Sequence, residues 1–263
     1  GVENFVSAFP ELRAHSVQLG LLFILVLTLM NLRGVRESGT VFAIPTYGFM
    51  IAVLGMTGWG LVRIFVFGDN LEAPSKHLEV IGSAVYDPFV GFAMIALLAR
   101  AFSSGCAALT GIEAISNGVP AFRKPKSRNA ATTLTLLASV AVSMLGGIIL
   151  LANLTGLKLV DPDGHSHFVS NGKVVHVDVG TAMGQLAHTV FDNFAPGLYF
   201  VIIVTFIILF LAANTAFNGF PVLGSLLAKD GYLPKALYTR GDRLAYSNGI
   251  LLLAAAAIGL VLA

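Results

Sequence analysis

Six stretches of this chain are apolar over lengths that a soluble fold rarely uses: about Ser16 to Leu32, Thr40 to Phe67, Pro88 to Ala121, Ala130 to Leu154, Pro196 to Leu227 and Ser247 to Ala263. The hydrocarbon core of a bilayer is crossed by about 20 mainly apolar residues in a helix. Backbone amides find no partner in lipid, so such runs must satisfy their own hydrogen bonds, and α-helices do this within one segment. The alternative is a soluble core that buries all six runs. That core would need a charged surface, and only 11% of the residues are charged, against roughly 25% in an ordinary soluble domain. With 56% hydrophobic residues and a mean hydropathy of +0.82, the chain reads as an all-α polytopic membrane protein. The last run is short for a span, and neither end has the look of a natural terminus. The sequence is therefore expected to be part of a longer chain, a single transmembrane core over residues 1–263 with no soluble regulatory domain.

The loops between the runs alternate in charge. Those after the first, third and fifth carry Arg33 and Arg36; Arg123, Lys124, Lys126 and Arg128; and Lys229, Lys235, Arg240 and Arg243. The two between them carry Arg63 and Lys76, then Lys158 and Lys173. Lysine and arginine concentrate on the cytoplasmic side, so the loops at 33–39, 122–129 and 228–246 are expected inside the cell and the others outside. The net charge of +2 comes in these short blocks and gives no nucleic-acid surface. Cys106 is the one cysteine, which excludes an intrachain disulfide. The opening residues, "GVENFVSAFPELRAHS", lack the basic start and short apolar stretch of a signal peptide.

The third run is the unusual one. "SSGCAALTGIEAISNGVPAF", Ser103 to Phe122, puts Thr110, Gly111, Glu113, Ser116, Asn117 and Gly118 between apolar flanks. A carboxylate in hydrocarbon is costly and as a rule faces a bundle interior or an aqueous cavity. Glycines weaken the helix, and nearby hydroxyls can re-satisfy the freed backbone groups. The pattern is that of a discontinuous transport helix, whose unwound carbonyls and opposed helix ends can hold an ion. The competing interpretation is a continuous helix whose small residues pack closely against neighbours.

A weaker version recurs in "FLAANTAFNGFPVLG", Phe210 to Gly224. Asn214 and Asn218 lie four residues apart and share a helix face, with Thr215 beside them and Thr205 as a possible continuation. They suit either a cavity lining or interhelical hydrogen bonds. Between the fourth and fifth runs, "DPDGHSHFVSNGKVVHVD" holds Asp161, Asp163, His165, His167 and His176. This density could bind a transition metal, but the segment reads better as a polar hairpin turning at Asn171-Gly172. A short amphipathic helix is expected at 181–191. No GxxxxGK[ST], HExxH or GxSxG element occurs, so ATP-driven pumping and common hydrolase chemistry have no support. The chain reads as a non-enzyme without a cofactor.

These residues carry a family resemblance. "RAFSSGCAALTGIEAISNGVPAFRKPKSRNAATTL" resembles the sixth helix and following loop of amino acid–polyamine–organocation (APC) permeases, and in particular the KimA-type branch of potassium importers. "FLAANTAFNGFPVLGSLLAKDGYLPKAL" followed by "RGDRLAYSNGI" is similar to that branch's eighth helix, loop and ninth-helix start, and "LTLMNLRGVRESG" to the fourth-to-fifth helix junction. The resemblance implies the LeuT/APC-type five-plus-five inverted-repeat fold, of which this chain supplies helices four to nine, about six transmembrane helices with the third discontinuous. It implies a multi-pass protein of the cell membrane that imports potassium with protons as a symporter. Thr110, Gly111 and the carbonyls of Ala108 and Leu109 would form part of the ion site, with Asn214 and Thr215 lining it from the eighth helix and Glu113 serving gating or coupling. The transported potassium ion and proton are then the ligands, with membrane lipid and a second copy of the chain as further partners. Cyclic di-AMP would act only through a C-terminal domain with no counterpart in these residues. An amino-acid or organic-cation permease, and a non-transporting membrane scaffold or sensor, remain the alternatives.

Overall fold

The computed structural model describes residues 1–33, 39–82, 94–95, 98–99, 101–102, 105, 115, 119–160, 166–170, 173–174, 180–238 and 246–262. Helix α1 (Val2–Ala8) leads through a 3₁₀ turn, Pro10–His15, into α2 (Ser16–Leu32). Helix α3 follows at Gly39–Phe65, α4 at Lys126–Thr155, α5 at Ala182–Val190, α6 at Ala195–Lys229 and α7 at Ser247–Leu262. Three short strands, β1 (Glu79–Gly82), β2 (Ser166–Ser170) and β3 (Lys173–Val174), lie in the connections. Among the described residues, four helical segments are long and apolar enough to span a bilayer, and α7 is a shorter apolar helix of 16 residues. The expected runs one, two, four, five and six thus coincide with helices to within a few residues. The third run, with its expected break, lies outside the described residues except at isolated positions. Pro45 is the seventh residue of α3, past the first turn, so its missing N–H removes one bond of the helix ladder.

The chain divides into two compact units, residues 1–60 with 179–263 and residues 61–178. In the first, α2, α6 and α7 share a core of Leu27, Phe217, Ile250 and Ala254, flanked by Ile24, Leu32, Phe210 and Leu253. Phe23 packs on Phe206 and Phe210, ring centroids 5.0 and 6.0 Å apart, and eight residues further along both helices Asn31 bonds Asn214, so α2 and α6 run in the same sense. Helix α7 runs against both, since Gly20 faces Val261 and Gly249 faces Pro221. A Cβ on Gly249 would stand 2.9 Å from Pro221 Cβ and 3.0 Å from its Cα. Glycine is therefore what lets these two backbones meet. At the opposite end, Phe5 and Phe9 of the α1 region pack on Phe206 and Tyr199. Thr181 caps α5 by accepting from Gly184 N at 3.1 Å and donates to Asn4 Oδ1 at 2.6 Å. Helices α2 and α6 both point their C-termini toward the end where Arg33, Lys229 and Lys235 emerge, as the loop charges require.

The second unit joins the two outer loops. Asp69 closes the end of α3, its N–H donating to Arg63 O and its carboxylate receiving Arg63 Nε at 2.7 Å. Helix α4 ends on Gly156 in the left-handed conformation (φ 68°), with Leu157 N donating to Ala152 O at 2.9 Å and Gly156 N to Asn153 O at 3.2 Å. That paired arrangement satisfies the last carbonyls and favours glycine. The segment 71–78 packs on this end: Ala73 N donates to Thr155 O, Lys158 N to Ser75 Oγ and Lys158 Nζ to Leu78 O. The hairpin expected around 171–172 forms between β2 and β3, in register Ser170↔Lys173. Strand β1 from the other outer loop pairs antiparallel with β2, Glu79↔Val169 through Gly82↔Ser166. That pairing was not expected from sequence, because four residues of "EVIG" carry no alternation long enough to mark a strand.

Candidate functional site

Ala108, Leu109, Thr110, Gly111 and Glu113 lie outside the described residues. Of the expected site residues, Asn214 and Thr215 are described, both on α6. Asn214 sits against α2, where Asn31 Nδ2 donates to Asn214 Oδ1 at 2.7 Å and to Leu27 O at 2.8 Å. Both asparagines are 8% exposed. Of the two roles open for Asn214, cavity lining and interhelical bonding, the second is the one observed. Amide pairs suit this place because each side chain both donates and accepts, and an unpaired amide in an apolar bundle is expensive.

Thr215 points elsewhere. It is exposed, and its hydroxyl donates to Leu211 O at 3.2 Å, which leaves its oxygen lone pairs open to a ligand. Asn218 is exposed as well. Its four-residue offset carries it about 40° round the helix past Asn214. Thr205 is buried and donates to Val201 O at 2.6 Å. Nine residues before Asn214, it lies half a turn away around α6 and does not extend a common stripe. The open side of α6 at this level is small: Ala212, Ala216 and Gly219 are exposed alongside Thr215, and nothing stands within 4 Å of where a Gly219 Cβ would be.

Asn31 and Thr28 were not singled out from the sequence. Thr28 is buried and donates to Ile24 O at 2.7 Å. The signal was present: two polar residues three apart in "LTLMNL" share a face of an otherwise apolar helix, which is how interhelical contacts in membranes are marked. Chemically, Asn31, Asn214 and Thr215 offer oxygen ligands and neutral amides. Among the described residues, no group of three or more His, Cys, Asp and Glu could hold a metal. His165 and His176 of the outer loop lie outside them.

Outside the spans, one carboxylate is strongly perturbed. Glu72 receives Lys76 Nζ at 2.7 Å and Asn70 Nδ2 at 2.8 Å on one oxygen and faces His77 Nε2 at 2.8 Å with the other. The hydrogen bonds from Lys76 and then His77 lower its pKa from 4.5 to about 2. This group organises the outer loop beside α4.

The comparisons with known proteins agree with this architecture. The family described as amino acid permease matches residues 1–263. The potassium transporter KimA of Bacillus subtilis (strain 168) is 37% identical over 264 aligned residues, covering 100% of this chain and 39% of that protein. The chain thus spans about two fifths of the length of the curated relative. Together with its membrane-length helices, the match over every residue assigns it: the chain is a multi-pass membrane protein of the amino acid permease family, within the APC superfamily.

Proposed function

We propose that this chain is the central part of a secondary active transporter that imports potassium together with protons by alternating access. The observation that carries the reading is the 37% identity, sustained along the whole chain, to a protein described as a potassium transporter. Potassium needs several oxygens to replace its water. Thr110, with the carbonyls of Ala108 and Leu109 freed at Gly111, would supply part of that set from the third run, and Thr215 offers a hydroxyl from α6. Asn214, which accepts from Asn31 Nδ2, would contribute to the set from α6. Glu113 is the acidic residue of the apolar runs, and its role is gating of the break or coupling to the proton. Substrate binding and translocation then need no covalent step, only two arrangements of packed helices about one site.

An amino-acid permease is the second reading, favoured by the description of the family matched over residues 1–263. The same broken helix that ligates a cation can hold an amino acid's carboxylate at a helix N-terminus and its ammonium at freed carbonyls. Expression of the complete gene in a strain lacking potassium uptake separates the two. Growth at limiting potassium, with no uptake of labelled amino acids, is the expected result. Amino-acid uptake without rescue would overturn the potassium reading.

A further inference from the structure

The start of α4 carries a charged patch that the transport reading does not use. Arg123, Lys124, Lys126 and Arg128 fall within six residues, and all four are exposed. The first turn of α4 holds no acid, and none of the residues between Glu113 and Asp161 is acidic. Among the described residues, no ion pair involves any of the four. The backbone that presents them is tied down. Lys126 Nζ donates to Pro120 O, and Asn129 Nδ2 donates to Arg123 O at 2.9 Å. Lys126 is thereby committed locally, while Arg123 and Lys124 are presented by the tied loop and Arg128 by the first turn of α4.

The depth of the patch follows from the length of the helix. Helix α4 has 30 residues, about 45 Å at 1.5 Å per residue, matching the roughly 40–45 Å of a bilayer with its headgroup layers. Its far end, Thr155 to Lys158, is bonded to the outer loop at Ala73 and Ser75. With that end at the outer headgroup layer, Lys126 and its neighbours reach the inner one. A sign rule for topology accounts for bases on this side. It does not account for three cations without an acidic neighbour in sequence, held at headgroup depth by a tied loop and the first turn of α4.

We propose that Arg123, Lys124 and Arg128 form a binding surface for the phosphate of an anionic phospholipid in the cytoplasmic leaflet. Four basic residues directly cytoplasmic of a membrane helix fit the charge pattern of such recognition, and arginine's planar fork suits phosphate oxygens. The ligand is a lipid and not free phosphate because the patch is at headgroup depth and continues into an apolar helix that acyl chains can cover.

The test uses the complete protein, purified into phosphatidylcholine with a graded fraction of phosphatidylglycerol and examined by native mass spectrometry. Wild type is expected to retain phosphatidylglycerol in preference to phosphatidylcholine, with the preference falling as salt rises. Each charge removed in R123Q, K124Q and R128Q should lower it about fivefold, the equivalent of about 1 kcal/mol per basic residue at an anionic surface. The triple variant should lose the preference and keep its thermal midpoint in pure phosphatidylcholine. If the triple variant fails to fold, the single variants carry the same test. Equal retention by wild type and the variants would overturn the proposal. So would displacement of the bound lipid by millimolar inorganic phosphate, which would show a free-anion site.

Discussion

Replacing Asn31 by Leu tests whether the amide pair fastens α2 to α6. The side chains are close in volume, so the change removes hydrogen bonds more than packing. Leu27 O keeps its backbone partner within the helix, and its loss of Asn31 Nδ2 costs little. Asn214 Oδ1 is different: it is buried, and Asn31 Nδ2 reaches it at 2.7 Å. Leaving a buried acceptor without its donor costs about 1–3 kcal/mol. Interhelical hydrogen bonds measured by double-mutant cycles within membranes average about 0.6 kcal/mol and reach about 1.7, because the unfolded helices in lipid also find partners. The expected loss for Asn31→Leu is therefore about 1–2 kcal/mol. In the double variant Asn31→Leu with Asn214→Leu neither partner is stranded, and the pair should recover roughly 0.6–1.7 kcal/mol of coupling. The assay is reversible unfolding of the complete protein in bicelles, run for wild type, both single variants and the double. Single-variant losses that sum to the double within about 0.3 kcal/mol would show that the pair contributes no interhelical coupling, and the reasoning would fail.

Gly249→Val should destabilise by about 1–3 kcal/mol, the usual cost of overpacking, because its Cβ would stand 3.0 Å from Pro221 Cα; an unchanged unfolding midpoint would refute the close approach of α6 and α7. Glu72 titrates lower in the folded loop than when free, so its contribution is present above the ordinary value of 4.5 and is lost as pH falls toward about 2. Hydrogen-exchange protection of residues 70–78, corrected for the intrinsic rate at each pH, should accordingly fall in wild type over that window and be already low, and flat with pH, in Glu72→Gln. Thr110→Ala should raise the KM for potassium uptake by the complete protein, and uptake kinetics equal to wild type would remove Thr110 from the ion site. Glu113→Gln should lower turnover; uptake unchanged across external pH would exclude it from both gating and coupling.

Helix positions were legible because lipid imposes one rule on every span: a long apolar run must be helical. Ser16–Leu32 was read to the residue, and Ala195–Lys229 to within two at each end. The alternation of basic loops gave the sense of each helix before any contact was known, and the antiparallel run of α7 against α2 and α6 agrees with it. What the sequence hid was non-local. Strand β1 exists because β2, more than 80 residues later, offers it a partner, and no periodicity within "EVIG" announces that. Helix α1 was passed over for a related reason. Its seven residues are too few to be stable alone, and they are held by Phe206, Tyr199 and Thr181. Asn31 shows the limit for the site. A single asparagine in an apolar helix announces a polar partner, but which of several helices supplies it depends on how they pack.

The two readings of Asn214 and Thr215 differ because one helix serves two surfaces. On one side of α6, Asn214, Phe217 and Pro221 are buried against α2 and α7, with an amide pair, a shared aromatic core and a glycine contact holding them. The side of Ala212, Thr215, Ala216 and Gly219 is exposed and lacks the large side chains that α6 otherwise turns outward, such as Leu209, Phe220, Leu223 and Leu226. Acyl chains are best met by those large apolar side chains. Small side chains with a hydroxyl among them suit a neighbouring helix at close range or a wet cavity. Adjacent residues thus divide the work: the bond from Asn31 fixes the rotation of α6, and that rotation sets where Thr215 points. A cation site that used Thr215 would depend on Asn31 without touching it.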